Sequence, residues 1–162
     1  QGEDYPDNGE RAIFFARGVL ETVKKLRWVP DIIHCQGWMS AVVPLYVKTA
    51  YHDEPSFADT KVVTSIFSKD MDMDLGSNFK KCLEFREAKA EILQVYNDNF
   101  NFDELGKLAI DYSDGVVQAC KEANKGLINY AKEKNIPVLG YHEDFADAYE
   151  TFYDQLFSEE TE

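Results

Sequence analysis

The sequence predicts an α/β domain, a Rossmann-like parallel sheet with flanking helices. Two kinds of segment support this prediction: short apolar runs rich in β-branched residues, and longer segments whose apolar residues recur with helical spacing. The two kinds alternate along the chain. Where a strand, a helix and a second strand follow one another closely, as they do early in this chain, the two strands lie parallel in one sheet.

The first half of the chain shows this alternation. A helix is predicted from 10 to about 27, with Asp7 or Asn8 placed to cap it. A strand follows over 31–35, then a helix over 38–51 in which Pro44 is a point for a kink, then a strand over 61–67.

Residues 68–78 interrupt the pattern, because acids alternate with methionines there without any hydrophobic period. A solvated loop is the prediction. Calcium binding is the alternative, although the glycine and the distal glutamate spacing of an EF-hand loop are missing.

The second half repeats the alternation and ends in an aromatic helix. The predicted elements are helices over 79–96 and 102–112, a strand over 115–120, a helix over 121–135, a strand over 136–141 and a helix over 143–157. We expect one partial domain over 1–157 and a frayed acidic tail over 158–162.

Charge and composition exclude several classes of function. The 162 residues are 44% hydrophobic and 14% aromatic, which is not the composition of a chain that is disordered over its whole length. A formal net charge of -13 repels phosphate backbones and anionic lipid surfaces, so neither nucleic acid nor a membrane is expected as a partner. Three widely spaced cysteines predict reduced thiols and a cytoplasmic location. Histidines and cysteines do not recur at ligand spacing, so no metal is expected.

Several polar and small side chains lie where the predicted strands end. Ligands of parallel sheets bind beyond the carboxyl ends of the strands. The residues at or just after such ends are His34, Gln36, Phe67, Ser68 and Cys120. The sequence therefore places a candidate site at this edge of the sheet.

Three segments carry longer motifs in a fixed order: YPDNGERAIFFARGVLE (5–21), WVPDIIHCQGWMSAVVPLYVKTAY (28–51) and KLAIDYSDGVVQAC (107–120). Together they resemble the amino-terminal catalytic domain of bacterial glycogen synthases and plant starch synthases, which are ADP-glucose-dependent retaining glycosyltransferases of the GT-B fold. The chain is most similar to the short, single-domain glycogen-synthase-like proteins of gut Bacteroidetes.

The resemblance implies transfer of glucose from ADP-glucose to the non-reducing end of an α-1,4-glucan, with no cofactor. No residue is assigned as catalytic. The implied candidates for substrate binding are His34, Gln36, Trp38, Asp7, Asn8 and Arg11. All of them except Gln36 also have a structural interpretation: a hydrogen-bonded histidine at a strand end, a core tryptophan at a helix start, and a helix cap with a local ion pair.

The same resemblance shows where this chain departs from the family. In the family motif H-x-H-D-W the second histidine, which contacts the transferred sugar, is replaced by Gln36, and the aspartate by Gly37. A glutamine can still hydrogen-bond a sugar hydroxyl, but it does not titrate near neutral pH. A further strand-end histidine of the family is replaced by Phe67.

Two parts of the family pattern have no counterpart in these residues. Its K-x-G-G-L loop would lie upstream of Gln1, and its second Rossmann domain would follow residue 120. We therefore expect this chain alone to be inactive, with the family reaction holding for a parent protein that completes the site. The alternative is a non-catalytic paralogue that binds glucan or a partner synthase, and a fragment is compatible with both.

The aromatic face of the helix over 145–157 suggests a further hypothesis. It is expected to pack onto the sheet surface that the second domain covers in complete enzymes, or else to form a homodimer or a contact with a partner chain.

Overall fold

Four parallel strands form one sheet in the structure, a computed structural model that describes residues 8–68 and 74–158. The strands lie in chain order, with β1 and β4 at the two edges. Their bounds are β1 Ile32–Gln36, β2 Lys61–Ile66, β3 Gly115–Gln118 and β4 Val138–Leu139. The predicted α/β class with a parallel sheet is confirmed. Because the strands are parallel, their carboxyl ends meet at one edge.

Helices connect the strands and cover the sheet. Their bounds are α1 Asn8–Lys25, α2 Val43–Lys48, α3 Phe79–Leu83, α4 Ala90–Leu93, α5 Phe102–Asp111, α6 Lys125–Glu133 and α7 Ala146–Ser158. Helix α1 buries Ala12, Ala16 and Leu20, which recur with helical spacing, as its sequence predicts. Within the described residues no helix is both long and apolar enough to cross a membrane.

The segment 38–51 is not the single helix that was predicted. A 3₁₀ turn over Trp38–Ser40 is followed by the short helix α2, which begins at Val43. Pro44 lies in the first turn of α2, where a missing backbone N–H costs nothing because that group has no intrahelical partner. The proline therefore starts a helix here instead of kinking one.

The segment 79–96 is likewise two short helices instead of one. Between α3 and α4, Phe85 and Ala88 exchange backbone hydrogen bonds of 2.9 Å in an antiparallel bridge. Arg86 inside this turn has φ 49°, a left-handed conformation that a helix interior does not contain. The prediction was wrong because helical spacing of the apolar residues continues across a tight turn.

The predicted helix over 121–135 and the predicted strand over 136–141 are both longer than the elements that form. Helix α6 begins at Lys125, because the Asn124 side chain accepts a hydrogen bond from the backbone N–H of Leu127 and caps the helix there. Strand β4 contains only Val138 and Leu139 of the predicted 136–141.

The two faces of the sheet pack against different helices. One face joins α1, α2 and α5 in the largest cluster, with the buried rings of Tyr46, Tyr51 and Phe100. The other face presents Val63 and Val117 to the last helix, α7. Side chains alternate between faces along a strand, so neighbouring residues of β1 and β2 belong to opposite clusters.

Candidate functional site

The junction after β1 is a sharp turn at the carboxyl edge of the sheet. Gly37 has φ 79°, a region in which glycine is far less strained than other residues. The Ser40 hydroxyl lies 2.9 Å from the carbonyl oxygen of Gln36 and 3.0 Å from that of Gly37, which ties the 3₁₀ turn back to the strand end. The glycine that replaces the family aspartate thus matches the backbone at this position.

His34 lies on the sheet face that α7 covers. Its Nδ1 is 2.9 Å from the Tyr153 hydroxyl, and its Nε2 is 2.6 Å from the Ser65 hydroxyl. Burial lowers the pKa of His34 below its ordinary value of 6.5, because a charged imidazole would lose its hydration there. His34 is therefore neutral near pH 7, with one ring nitrogen donating and the other accepting.

Gln36 lies two residues further along β1, so it belongs to the same face as His34. Its side chain is exposed, and its Cα is paired with that of Ser65 in the neighbouring strand. Both predicted strand-end residues thus lie on the same face of the sheet, near its carboxyl edge. Gln36 is open to a ligand, whereas His34 is engaged by two protein hydroxyls.

Trp38 lies on the opposite side of the sheet. It is partly buried and packs against the large cluster, in agreement with its structural interpretation. It also lines a cavity of about 210 Å³ between the 3₁₀ turn, the end of β2 and α5. Phe67, which is 41% exposed, lines the same cavity and not the His34 face.

Sequence reasoning missed the part of this cavity that α5 and α6 supply. The residues concerned are Phe102, Leu105, Gly106, Ala109 and Leu127. A side chain at Gly106 would put its Cβ 2.6 Å from Leu127, so the two helices approach closely there. Two small residues, Gly106 and Ala109, on the apolar face of a predicted helix were the available signal.

Two candidates of the first segment, Asn8 and Arg11, lie on α1, across the sheet from α7. Asn8 is buried and Arg11 is exposed in the first turn of this helix. Gly9 between them lies under the Phe79 ring, with its Cβ position 2.5 Å from a ring carbon. Asp7 lies outside the described residues. A role for these three in substrate binding stays a prediction.

The polar residues of the third segment lie at the amino ends of the strands. The Asp114 carboxylate accepts a hydrogen bond from the backbone N–H of Val62 at 2.8 Å and pairs with the Lys48 ammonium at 2.7 Å. The buried Ser113 hydroxyl donates to the carbonyl oxygen of Ala109 at 2.7 Å and contacts the Thr64 hydroxyl at 2.7 Å. These contacts give both residues a structural role far from the ligand edge.

The cysteines and acids offer no metal centre in the part of the chain that the structure describes. All three cysteines are free thiols. Burial raises the pKa of Cys35 to about 12, so its thiol stays protonated and unreactive. Most of the acidic loop considered for calcium, residues 69–73, lies outside the described residues.

The fold and its strand-end junction define an α/β domain of the Rossmann-like type. Residues 1–131 match the family model of the starch synthase catalytic domain. The chain therefore belongs to the glycogen and starch synthase family, as the sequence motifs indicate.

Known relatives support the family and show how much of it is present. The chain is 34% identical over 146 residues to a glycogen synthase of Clostridium perfringens, covering 85% of this chain and 27% of that protein. A glycogen synthase of Chlorobium luteolum is 48% identical over 65 residues, 40% of this chain and 13% of its own length. The chain thus spans less than a third of the relatives it matches.

A solved structure shares the fold. It is the catalytic domain of starch synthase IV from Arabidopsis thaliana, bound to ADP and acarbose. The TM-score is 0.64 at 19% identity, over 86% of this chain and 30% of that one. The likeness supports the same α/β architecture for the described residues.

Proposed function

We propose that this chain is part of a glycogen or starch synthase-type glycosyltransferase that transfers glucose from ADP-glucose to the non-reducing end of an α-1,4-glucan. The observation that carries the proposal is the junction over 30–44. It holds His34 and Gln36 on one face at the carboxyl edge, where ligands of such sheets bind. Family membership supplies the reaction, and the chain alone is proposed to be inactive.

The chemistry of the two side chains supports a positioning role. A neutral imidazole and an amide each offer both a donor and an acceptor, which is what a sugar hydroxyl needs. Neither side chain supplies the positive charge that stabilises a departing nucleotide diphosphate. We therefore propose that His34 and Gln36 orient the sugar, and that cations elsewhere in the parent protein stabilise the leaving group.

The second candidate is a non-catalytic paralogue that binds glucan or a partner synthase. The observation in its favour is the engagement of His34 by Tyr153 and Ser65, together with the replacements at Gln36, Gly37 and Phe67. For either candidate we also propose a homodimer or a contact with a partner chain through the helix 145–157. A cytoplasmic location is likewise proposed for either candidate, and three free cysteines support it.

The decisive experiment is glucan synthesis by the product of the complete gene. The protein is incubated with labelled ADP-glucose and a glucan primer, and the label in polymer is measured. His34→Ala is expected to abolish incorporation. The matched control is His52→Ala, because His52 is exposed and its Nδ1 bonds only locally, to the Thr49 carbonyl oxygen at 2.6 Å.

The outcomes separate the two candidates. Incorporation that disappears in His34→Ala and persists in His52→Ala supports the transferase. If wild-type protein gives no labelled polymer but binds maltoheptaose or a partner synthase, the non-catalytic paralogue is supported instead.

A further inference from the structure

Helix α7 is packed firmly onto the sheet face that carries His34. Phe152 and Leu156 are each 4% exposed and contact Val63 and Val117 of the central strands. The approach is so close that a Cβ at Gly115 would lie 2.8 Å from the Phe152 ring. The helix is thus seated by apolar burial, the dominant favourable term in such packing.

Three aromatic side chains, one just before α7 and two within it, continue this contact toward the ligand edge. Phe145, Tyr149 and Tyr153 recur every fourth residue, and their rings stack with centroids 5.0 and 5.7 Å apart. The rings of Tyr149 and Tyr153 meet the imidazole of His34 edge-on, at centroid distances of 5.5 and 6.3 Å. The helix therefore covers His34 with aromatic surface.

Hydrogen bonding completes the coverage. An imidazole has two ring nitrogens, and in His34 one faces the Tyr153 hydroxyl and the other the Ser65 hydroxyl. Ser65 belongs to β2, which is paired with strands on both sides, so its backbone cannot move away from His34 without breaking the sheet. Tyr153 belongs to a peripheral helix, so it is the partner that a ligand can displace.

We propose that α7 is an intramolecular strap on the sugar site. The Tyr153 hydroxyl takes the place on His34 that a sugar hydroxyl takes in a complex, and a ligand reaches His34 only when α7 moves away. This inference rests on the proposed function, because it assumes that His34 contacts sugar. The apparent affinity for ligand is then reduced by the small fraction of molecules in which the helix is open.

Diethyl pyrocarbonate acylates the ring nitrogen of a neutral histidine. Its rate of reaction with His34 measures how often α7 leaves this residue accessible, and no ligand is needed. The chain contains three histidines, and the other two, His52 and His142, are exposed and serve as internal standards. An open state populated at about 10% or less makes His34 react at least about tenfold more slowly than these two. The modified peptides are quantified by mass spectrometry.

Variants of Tyr153 test whether this residue provides the coverage. Tyr153→Ala is expected to raise the reactivity of His34 toward that of His52 and His142, and Tyr153→Phe, which keeps the ring, to raise it less. Asp154→Ala is the matched control, because Asp154 is exposed on the same helix. A thermal melt identifies any variant that fails to fold, and Tyr153→Phe then carries the test.

Binding of maltoheptaose and ADP-glucose to the same full-length proteins completes the experiment. The strap predicts tighter binding in Tyr153→Phe and Tyr153→Ala than in wild type, and loss of that gain when His34→Ala is added. His34 reacting in wild type as fast as His52 overturns the strap. The strap is also overturned if a Tyr153 variant has a reactive His34 but binds the ligands no more tightly than wild type does, provided that His34→Ala abolishes binding.

Failure of the proposed function looks different. If His34 becomes reactive in Tyr153→Ala but neither ligand binds any variant, His34 is not part of a sugar site. That result contradicts both the proposed function and the role of α7 as a strap on such a site.

Discussion

His34 is surrounded by uncharged groups on both sides of its ring. The groups that face it in the described residues are the Ser65 hydroxyl and the phenol rings of Tyr149 and Tyr153. Burial raises the pKa of both tyrosines above their ordinary value of 10, so neither ionises below neutral pH. The only titration in this contact over the acidic range is that of the imidazole.

Protonation of His34 should therefore lower the free energy of unfolding as the pH decreases. The pKa of the folded protein lies below the ordinary 6.5, so the unfolded chain binds the proton more readily. The folded state keeps its full stability above about 6.5 and loses part of it as pH falls through the lowered pKa. Urea unfolding of wild type and His34→Gln, compared between about pH 7.5 and pH 5, isolates this contribution.

The variant is the control for every other group that titrates over the same range, carboxylates included. We expect a steeper loss of unfolding free energy in wild type than in His34→Gln. Parallel pH dependences in the two proteins would show that His34 titrates with an ordinary pKa and is not desolvated.

Residue patterns could predict the position of His34 but not its partners. Strand periodicity and the following glycine were enough to place His34 and Gln36 at a strand end. Tyr153 is 119 positions away from His34, and no local pattern connects the two. Which helix covers each face of the sheet could not be predicted either, because that depends on tertiary packing.

Helix α5 is an element whose start the local sequence explains. The Asn101 side chain accepts a hydrogen bond from the backbone N–H of Glu104 at 2.9 Å, which makes Asn101 the N-cap. The Glu104 carboxylate in turn accepts from the backbone N–H and the side-chain amide of Asn97, at 3.3 and 3.2 Å. This arrangement holds the helix that forms one wall of the strand-end cavity.

Removing the N-cap of α5 should lower the free energy of unfolding. Asn101→Ala is expected to lower the free energy of unfolding by about 1 kcal/mol, because one N–H of the first turn loses its acceptor. Asn101 is exposed, so the substitution leaves no cavity. Asn101→Asp, which keeps an acceptor at the same position, is expected to match wild type. Equal losses in the two variants, measured by urea unfolding, would contradict the capping role.

Other elements show where sequence patterns fail. Long amphipathic segments such as α1 were predicted nearly to their ends, because burial of one face and a helical period agree. The single helix predicted over 79–96 was wrong, because a turn at Arg86 with φ 49° leaves the spacing of apolar residues intact. Turns of this kind are stabilised by tertiary contacts, here an Arg86 guanidinium 5.0 Å from the centre of the Tyr51 ring.

At the scale of the whole molecule, α7 is what covers the second face of the sheet in the described residues. Val63 and Val117 are completely buried, and the helix supplies Phe152 and Leu156 against them. The aromatic pattern of 145–157 could predict such packing in general terms. It could not predict that the helix lies on its own sheet, because the same face suits a second chain equally well.

Deletion of residues 143–162 tests this dependence. The apolar side chains that α7 covers become solvent-exposed, and an exposed apolar face on a flat sheet promotes association. We expect the truncated protein to bind a hydrophobic dye and to aggregate, as measured by fluorescence and by light scattering.

Two phenylalanines on the same helix provide a graded version of that test. Phe152 is 4% exposed and Phe157 is 38% exposed. Phe152→Ala is expected to lower the free energy of unfolding by about 3–5 kcal/mol, because it leaves a cavity between α7 and the sheet. Phe157→Ala should change it by less than about 0.5 kcal/mol, since its ring is partly in solvent already. A truncated protein as soluble and stable as the intact chain, or equal losses in the two alanine variants, would show that α7 does not seal the sheet.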